Sequence, residues 1–218
     1  ERAFGAGRGI DDLLYLTIST GLGGAVISGG HLITGPDDTA IEVGHAPISL
    51  DGPPCSCGGS GHLESFVSGW ALAAAGSAAA TSGESRALAD WLAANPGGKI
   101  SAREVSDAAA AGDGAAQAIL ARADLAIGRA VAGMVNLFNP ERIIIGGSYA
   151  EARWGAISAR IAQEIAGHAF KVPGSRVRIH PAELGGDVSL AGCHPVVVGR
   201  LGNPDWERAV AASRTGGR

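Results

Sequence analysis

The chain has 218 residues, enough to bury a substantial core as one large domain or as a domain with a small appendage. Hydrophobic residues make up 46% and charged residues 17%, which excludes a disordered charged tail as the main content. With a net charge of -4 and dispersed basic residues there is no electrostatic footprint for nucleic acid, and no apolar run reaches the roughly 18 to 20 residues that span a bilayer.

In chain order, DLLYLTIS (Asp12 to Ser19) is apolar on both faces and predicts a strand covered on two sides. It runs into STGLGG and then AVISGGHLIT, where Gly29 and Gly30 between short apolar runs signal a hairpin. From Gly35 to Gly61 the chain is rich in Gly, Pro and Asp without helical period, an ordered loop only if something holds it. Helices are expected over 62–80, 84–94 and 101–111, the last opening with a capping box of Ser101 and Glu104. A longer helix runs from Asp113 to Phe138, with Leu120, Ala123, Ile127, Val131, Met134 and Phe138 at helical spacing, and Asn139-Pro140 stops it.

The segment RIIIGGS predicts a short buried strand ending in glycines, followed by a helix from Ala150 to His168. RVRIHPAEL (Arg176 to Leu184) reads as a last strand, and VSLAGCHPVVVGRL as a terminal helix interrupted by Pro195, with Cys193 a lone buried core thiol. Residues 203–218 are expected to form a flexible tail. Alternation of this kind indicates an α/β fold. Glu1 opens neither a charged n-region nor an apolar signal core, so the start reads as a cut end. Three cysteines, an odd number, argue for a reducing compartment, the cytoplasm by default.

In STGLGG, closely spaced glycines let backbone N–H groups approach an anion, and Thr20 adds a hydroxyl. Gly146-Gly147 offers a second such loop after a strand. Each alone reads first as a plain tight turn; together they suggest a crevice for a phosphorylated ligand. The stretch CSCGGSGHLE concentrates different chemistry. His45, Cys55, Cys57 and His62 offer two thiolates and two imidazoles, a set that closes a tetrahedral structural zinc site. Metal binding would explain how so long a Gly/Pro loop keeps one shape; the bland alternative is incidental thiols beside solvated histidines. Glu42 and Glu64 flank these residues, as partners of metal ligands, as surface charges or as hydroxyl acceptors in a polyol site.

Taken in order, LTISTGLGG, IEVGH, CSCGGSGHLES and NPERIIIGGS resemble the ROK family of bacterial sugar kinases and related repressors. The resemblance implies the hexokinase/actin-like, ribonuclease H-like fold: a mixed sheet flanked by helices with an inserted Cys/His loop at 45–62. It makes residues 1–202 the large C-terminal domain, with the small N-terminal domain absent from the chain. Thr20, Gly21, Gly23 and Gly24 are similar to the family's second phosphate loop, and Gly146 and Gly147 to its adenosine-side loop. Glu42, His45 and Glu64 fall where the family contacts sugar hydroxyls, and His45, Cys55, Cys57 and His62 where it binds zinc, with His62 at a position that is commonly cysteine.

The family's general base, the aspartate of an Asn-Asp pair, would lie before Glu1, so this chain alone is expected to be inactive. The activity implied for the complete protein is transfer of phosphate from MgATP to a hexose such as glucose or an N-acetylated hexosamine. The alternative is the sugar-sensing domain of a ROK transcriptional repressor, with a zinc-stabilised interaction module a distant third. A homodimer is expected, and no contact with membrane or, through this domain, with nucleic acid.

Overall fold

The computed structural model describes residues 1–200. Strands β1 (Leu13–Ile18), β2 (Leu22–Ser28) and β3 (His31–Leu32) form an antiparallel meander, and β4 (Arg142–Gly146) and β5 (Arg178–Pro181) extend the sheet in parallel beyond β1. The order is β3-β2-β1-β4-β5, a mixed sheet with β1 at its centre. The β2–β3 turn has Gly29 at φ 55° and Gly30 at φ 81°, the left-handed pair that a tight two-residue hairpin requires.

Alternation along β1 and β4 splits the apolar residues between two faces. Leu14, Leu16, Ile18, Ile143 and Ile145 join the main core, which includes Ile127, Val131 and Val135 of α5 (Gly114–Phe138) and Ile157 and Ile161 of α7 (Trp154–His168). Leu13 and Ile144 point the other way and pack with Ala6 and Ile10 of the N-terminal segment. Both faces of β1 are therefore covered, as its sequence predicts. Where α5 and α7 meet, the buried carboxylate of Glu164 is paired with Arg129 at 2.6 Å and with Arg160 and His168 at 3.3 Å each. Those partners offset the cost of burying its charge.

The remaining helices are α1 (Glu64–Val67), α2 (Gly69–Ser82), α3 (Arg86–Ala94), α4 (Ala102–Ala110), α6 (Ser148–Ala152), α8 (Lys171–Arg176) and α9 (Val188–Arg200). The expected capping box at Ser101 and Glu104 is present. Asp113 caps α5 by accepting from Ala116 N at 2.9 Å and also accepts from Ala87 N at 3.3 Å, tying α3 to α5. Replacing Asp113 with Ala should cost about 1–2 kcal/mol, read as a drop of a few degrees in Tm. The Ala116 N–H, followed by weaker donors, holds the Asp113 pKa below its ordinary value. The cap is therefore complete at neutral pH, and the stability gap between wild type and Asp113→Ala should close only as pH falls below about 4, through the lowered folded value.

Four sequence expectations need correction. The helix expected over 62–80 is two, because Ser68 is extended at φ -72°, ψ 157° and caps α2 through Ala71 N. The first turn of α2 is committed elsewhere: Gly69 N donates to Ser19 O at 2.8 Å and Trp70 N to Thr20 O at 3.3 Å. The helix expected over 150–168 breaks at Arg153, whose side chain pairs with Asp124 on α5. The strand expected over 176–184 is only Arg178–Pro181 and is preceded by α8. Cys193 is exposed rather than buried, with Sγ 3.2 Å from Ser189 O. Leu190, Val196, Val197 and Val198 of α9 are exposed as well, so among the described residues this helix offers no core for a cysteine to enter. The tail expected over 203–218 lies outside the described residues.

Candidate functional site

The Gly/Pro loop departs from β3 and returns at α1, and a single 3-10 turn, Val43–His45, is packed against β2 within it. Its shape rests on backbone ties: Cys55 N to Gly59 O at 2.8 Å, Ile48 N to Gly61 O at 2.8 Å and Leu63 N to Ala46 O at 3.0 Å. It has little apolar content to hold it, and Leu50 is 99% exposed. The four predicted ligands nevertheless converge. Cys55 Sγ lies 3.6 Å from His45 Nδ1, Cys57 Sγ lies 3.2 Å from His62 Nδ1, and the four donor atoms all fall within 4.8 Å of one another. A tetrahedral zinc with bonds of about 2.0–2.3 Å sets its ligands about 3.3–3.8 Å apart, so the side chains fit the ion with a small contraction. Two thiolates and two imidazoles would hold a divalent cation at formal neutrality. His45 faces the cluster with Nδ1, which leaves Nε2 as its other polar atom.

The carboxylate of Glu64 stands next to this loop and is already well occupied. Oε2 accepts from Leu22 N at 3.0 Å, and Oε1 accepts from Ser56 Oγ and from Trp70 Nε1, both at 3.2 Å. Burial by itself would raise its pKa, but the three donors and the field of His45 outweigh that and hold it below the ordinary value. Glu64 is thus a fixed anion. Gly21 gives it room, since a Cβ there would lie 3.1 Å from Oε2 and push the carboxylate by a few tenths of an ångström. Glu42 is exposed and sits before the 3-10 turn at φ -71°, ψ 59°, while Val43 N reaches back to Ile41 O at 2.7 Å, an inverse γ-turn centred on Glu42. Ile41 ahead of it has φ 67°, a costly conformation for a β-branched residue and of the kind that gathers at functional sites.

Beside the start of α2 lies a cleft of about 950 Å³ whose lining includes Ser19, Thr20, Trp70, Ser148, Tyr149 and Arg153. Gly147 brings β4 to it at φ 93°, and a Cβ there would stand 2.4 Å from Ile18 O, so only glycine closes this loop onto the end of β1. Ser19 Oγ and Ser148 Oγ, one from each glycine loop, are 3.0 Å apart. The two loops that the sequence separates by more than a hundred positions therefore meet. Thr20 opens onto the cleft, whereas Gly23 and Gly24 lie inside β2 opposite Thr17 and Leu16. Gly24 also gives room to the Val43 side chain, which would meet a Cβ at 2.6 Å.

Several residues here escaped the sequence reading. Ser56 and Trp70 orient Glu64, and neither residue type signals that task. At the far wall of the cleft, burial pushes the Tyr149 hydroxyl up to about 12, and burial also raises Asp124 despite the neighbouring Arg153 guanidinium. Among the described residues Tyr149 Oη and Arg153 Nε are buried without a hydrogen-bond partner, polar atoms on the lining beside Ser148, and Asp124 Oδ1, equally unpartnered, faces a separate cavity between α4 and α5. Only the SYAEAR stretch after the glycines marks that lining in sequence.

The sheet order, the flanking helices and the inserted loop are those of the hexokinase/actin-like fold. A ROK family glucokinase from Streptomyces griseus, solved in complex with glucose and AMPPNP, matches it with a TM-score of 0.72 and 31% identity, covering 88% of this chain and 62% of that one. A ROK family transcriptional regulator, a homologue of the E. coli MLC protein, matches with a TM-score of 0.69 and 28% identity over 84% of this chain and 44% of its own.

The ROK family model matches residues 1–198, and the chain belongs to the ROK family. Among curated relatives, the glucokinase of Thermotoga maritima is 41% identical over 70% of this chain and 47% of its own length. The N-acetylmannosamine kinase of Shigella boydii serotype 18 is 34% identical over 84% of this chain and 57% of its own. The chain spans about half the length of the curated relatives it matches.

Proposed function

We propose that the chain is the large domain of an ATP-dependent sugar kinase, acting on a hexose such as glucose or an N-acetylated hexosamine. One observation carries this reading: the start of α2 is bonded on one side to the Ser19-Thr20 loop of the cleft and on the other to Glu64. A phosphoryl acceptor and a donor placed on the two sides would be held close together, and positioning supplies much of the catalysis in phosphoryl transfer.

In this reading Glu42, His45 and Glu64 hold sugar hydroxyls. Of the residues similar to the family's ATP loops, Thr20 lines the cleft and would meet MgATP, with Tyr149 and Arg153 on the same lining, whereas Gly21, Gly23, Gly24, Gly146 and Gly147 would act by letting the two loops pack closely beside it. His45, Cys55, Cys57 and His62 would hold a structural zinc, which supplies rigidity to the loop and leaves no open position for chemistry. No residue of this chain matches the Asn-Asp pair of the family's general base, so the proton of the sugar hydroxyl would be taken by an aspartate outside residues 1–218, and the chain alone would not turn over. A cytoplasmic homodimer belongs to the same reading; no helix of the described residues is long and apolar enough to cross a membrane.

The repressor reading is less well supported, because a sensor needs no nucleotide and the glycine loops here converge on a nucleotide-sized cleft. The deciding experiment is ADP release by the full-length protein over a panel of hexoses and hexosamines. Sugar-dependent ADP with stoichiometric sugar phosphate is expected; sugar binding without ADP would favour the sensor.

A further inference from the structure

Like Leu22, whose N–H reaches Glu64 from the STGLGG loop, Trp70 touches both halves of the site. Its backbone N–H donates to Thr20 O at 3.3 Å, and its indole N–H donates to Glu64 Oε1 at 3.2 Å. Its half-buried ring forms part of the wall of the 950 Å³ cleft and of a second, mostly apolar cavity of about 470 Å³ behind α1, between Phe66 and Ile119. An ionised carboxylate accepts about four hydrogen bonds. Leu22 N, Ser56 Oγ and Trp70 Nε1 fill three of these for Glu64, and two of the three converge on Oε1. What remains is a single acceptor direction on Oε2.

We infer that Trp70 is a positioning residue for the acceptor sugar: by holding Oε1, its indole N–H turns the one free lone pair of Glu64 toward the sugar hydroxyl. This rests on the reading of Glu64 as a sugar ligand. Ser56 alone cannot fix the carboxylate, because its hydroxyl rotates and it sits on the Cys/His loop. The indole is rigid and is anchored by α2. The same helix start holds Thr20, so the sugar carboxylate and the cleft loop share one reference point.

The test is Trp70→Phe in the full-length protein, which removes the N–H, keeps an aromatic ring and leaves the backbone bond to Thr20. Loss of a hydrogen bond to a charged group predicts a rise of about 10-fold in the sugar KM. The ATP KM and the zinc content should stay within about twofold, since neither depends on the indole N–H. In the Glu64→Gln background the same substitution should add nothing, because the group it orients has gone. A parallel rise in both KM values would mean that the ring only packs α2, and would overturn the inference. So would an unchanged sugar KM in Trp70→Phe while Glu64→Gln loses sugar. Sugar affinity unchanged in both variants would instead overturn the sugar-site reading, and this inference with it.

Discussion

Glu64→Gln should lower sugar affinity by at least about 30-fold, roughly 2 kcal/mol, while leaving zinc content at the wild-type level. The expected loss is large because the substitution does more than remove a charge. Leu22 N, Ser56 Oγ and Trp70 Nε1 all donate to this carboxylate, and an amide presents its own N–H groups to some of them. Either the amide rotates and strands a donor, or the side chain moves away from the sugar. Both routes spoil the one acceptor direction left for a hydroxyl. The substitution leaves Cys55, Cys57, His45 and His62 in place, so zinc should be retained. Titration of the sugar into both proteins by calorimetry, with zinc measured on the same samples, checks the two halves of the statement together.

The second large effect concerns the metal. Purified protein should carry about one zinc per chain, and stripping it should lower Tm by about 10 °C, the scale expected when free zinc near a thousand times its Kd contributes about 4 kcal/mol. His62→Ala should lose the ion and show the same Tm as the stripped protein. His62→Cys should keep it and release it to a chelator more slowly, because a third thiolate adds negative charge beside the cation. The loop has few other means of support, with Leu50 wholly exposed and its ties mostly backbone pairs such as Cys55 to Gly59, beside side-chain bonds such as Ser56 to Glu64 and Ser65 to Pro53. Zinc content of zero in protein purified without chelator would refute the metal assignment.

The parts of the molecule that were legible in sequence are those where local chemistry decides. β1 and β4 declare burial on both faces because Leu14, Leu16, Ile18, Ile143 and Ile145 enter one core and Leu13 and Ile144 the other. Asp113 and Ser101 announce helix starts through their own side chains. The Cys/His set is legible because thiols and imidazoles at these spacings serve few other purposes. What stayed hidden was decided at long range. The break at Ser68 has a local mark, a Ser-Gly pair whose serine caps α2, but it is hidden inside a continuous helical run and is fixed by the bonds of Gly69 and Trp70 to Ser19 and Thr20. The break at Arg153 follows likewise from its pairing with Asp124, a helix away.

The cluster and the carboxylate carried different amounts of information. For Glu64, the sequence left open a partner of a metal ligand, a surface charge and a hydroxyl acceptor. The structure excludes the simple surface charge, since three donors fix the carboxylate. Cys193 shows the opposite failure. Cysteine is among the most buried residue types, but that tendency needs a core within reach, and α9 presents Leu190 and three valines to solvent.

The central claim is that Glu42, His45 and Glu64, together with the Ser19-Thr20 and Gly147 loops beside the start of α2, form a single site for a sugar and a nucleotide. A crystal structure of the full-length protein with zinc, hexose and a non-hydrolysable ATP analogue tests it most directly. The account predicts sugar hydroxyls within hydrogen-bond distance of Glu64 Oε2 and His45 Nε2, with the phosphates at Thr20 and Gly147. A hexose bound in the apolar cavity beside Phe66, or a nucleotide outside the cleft, would contradict it.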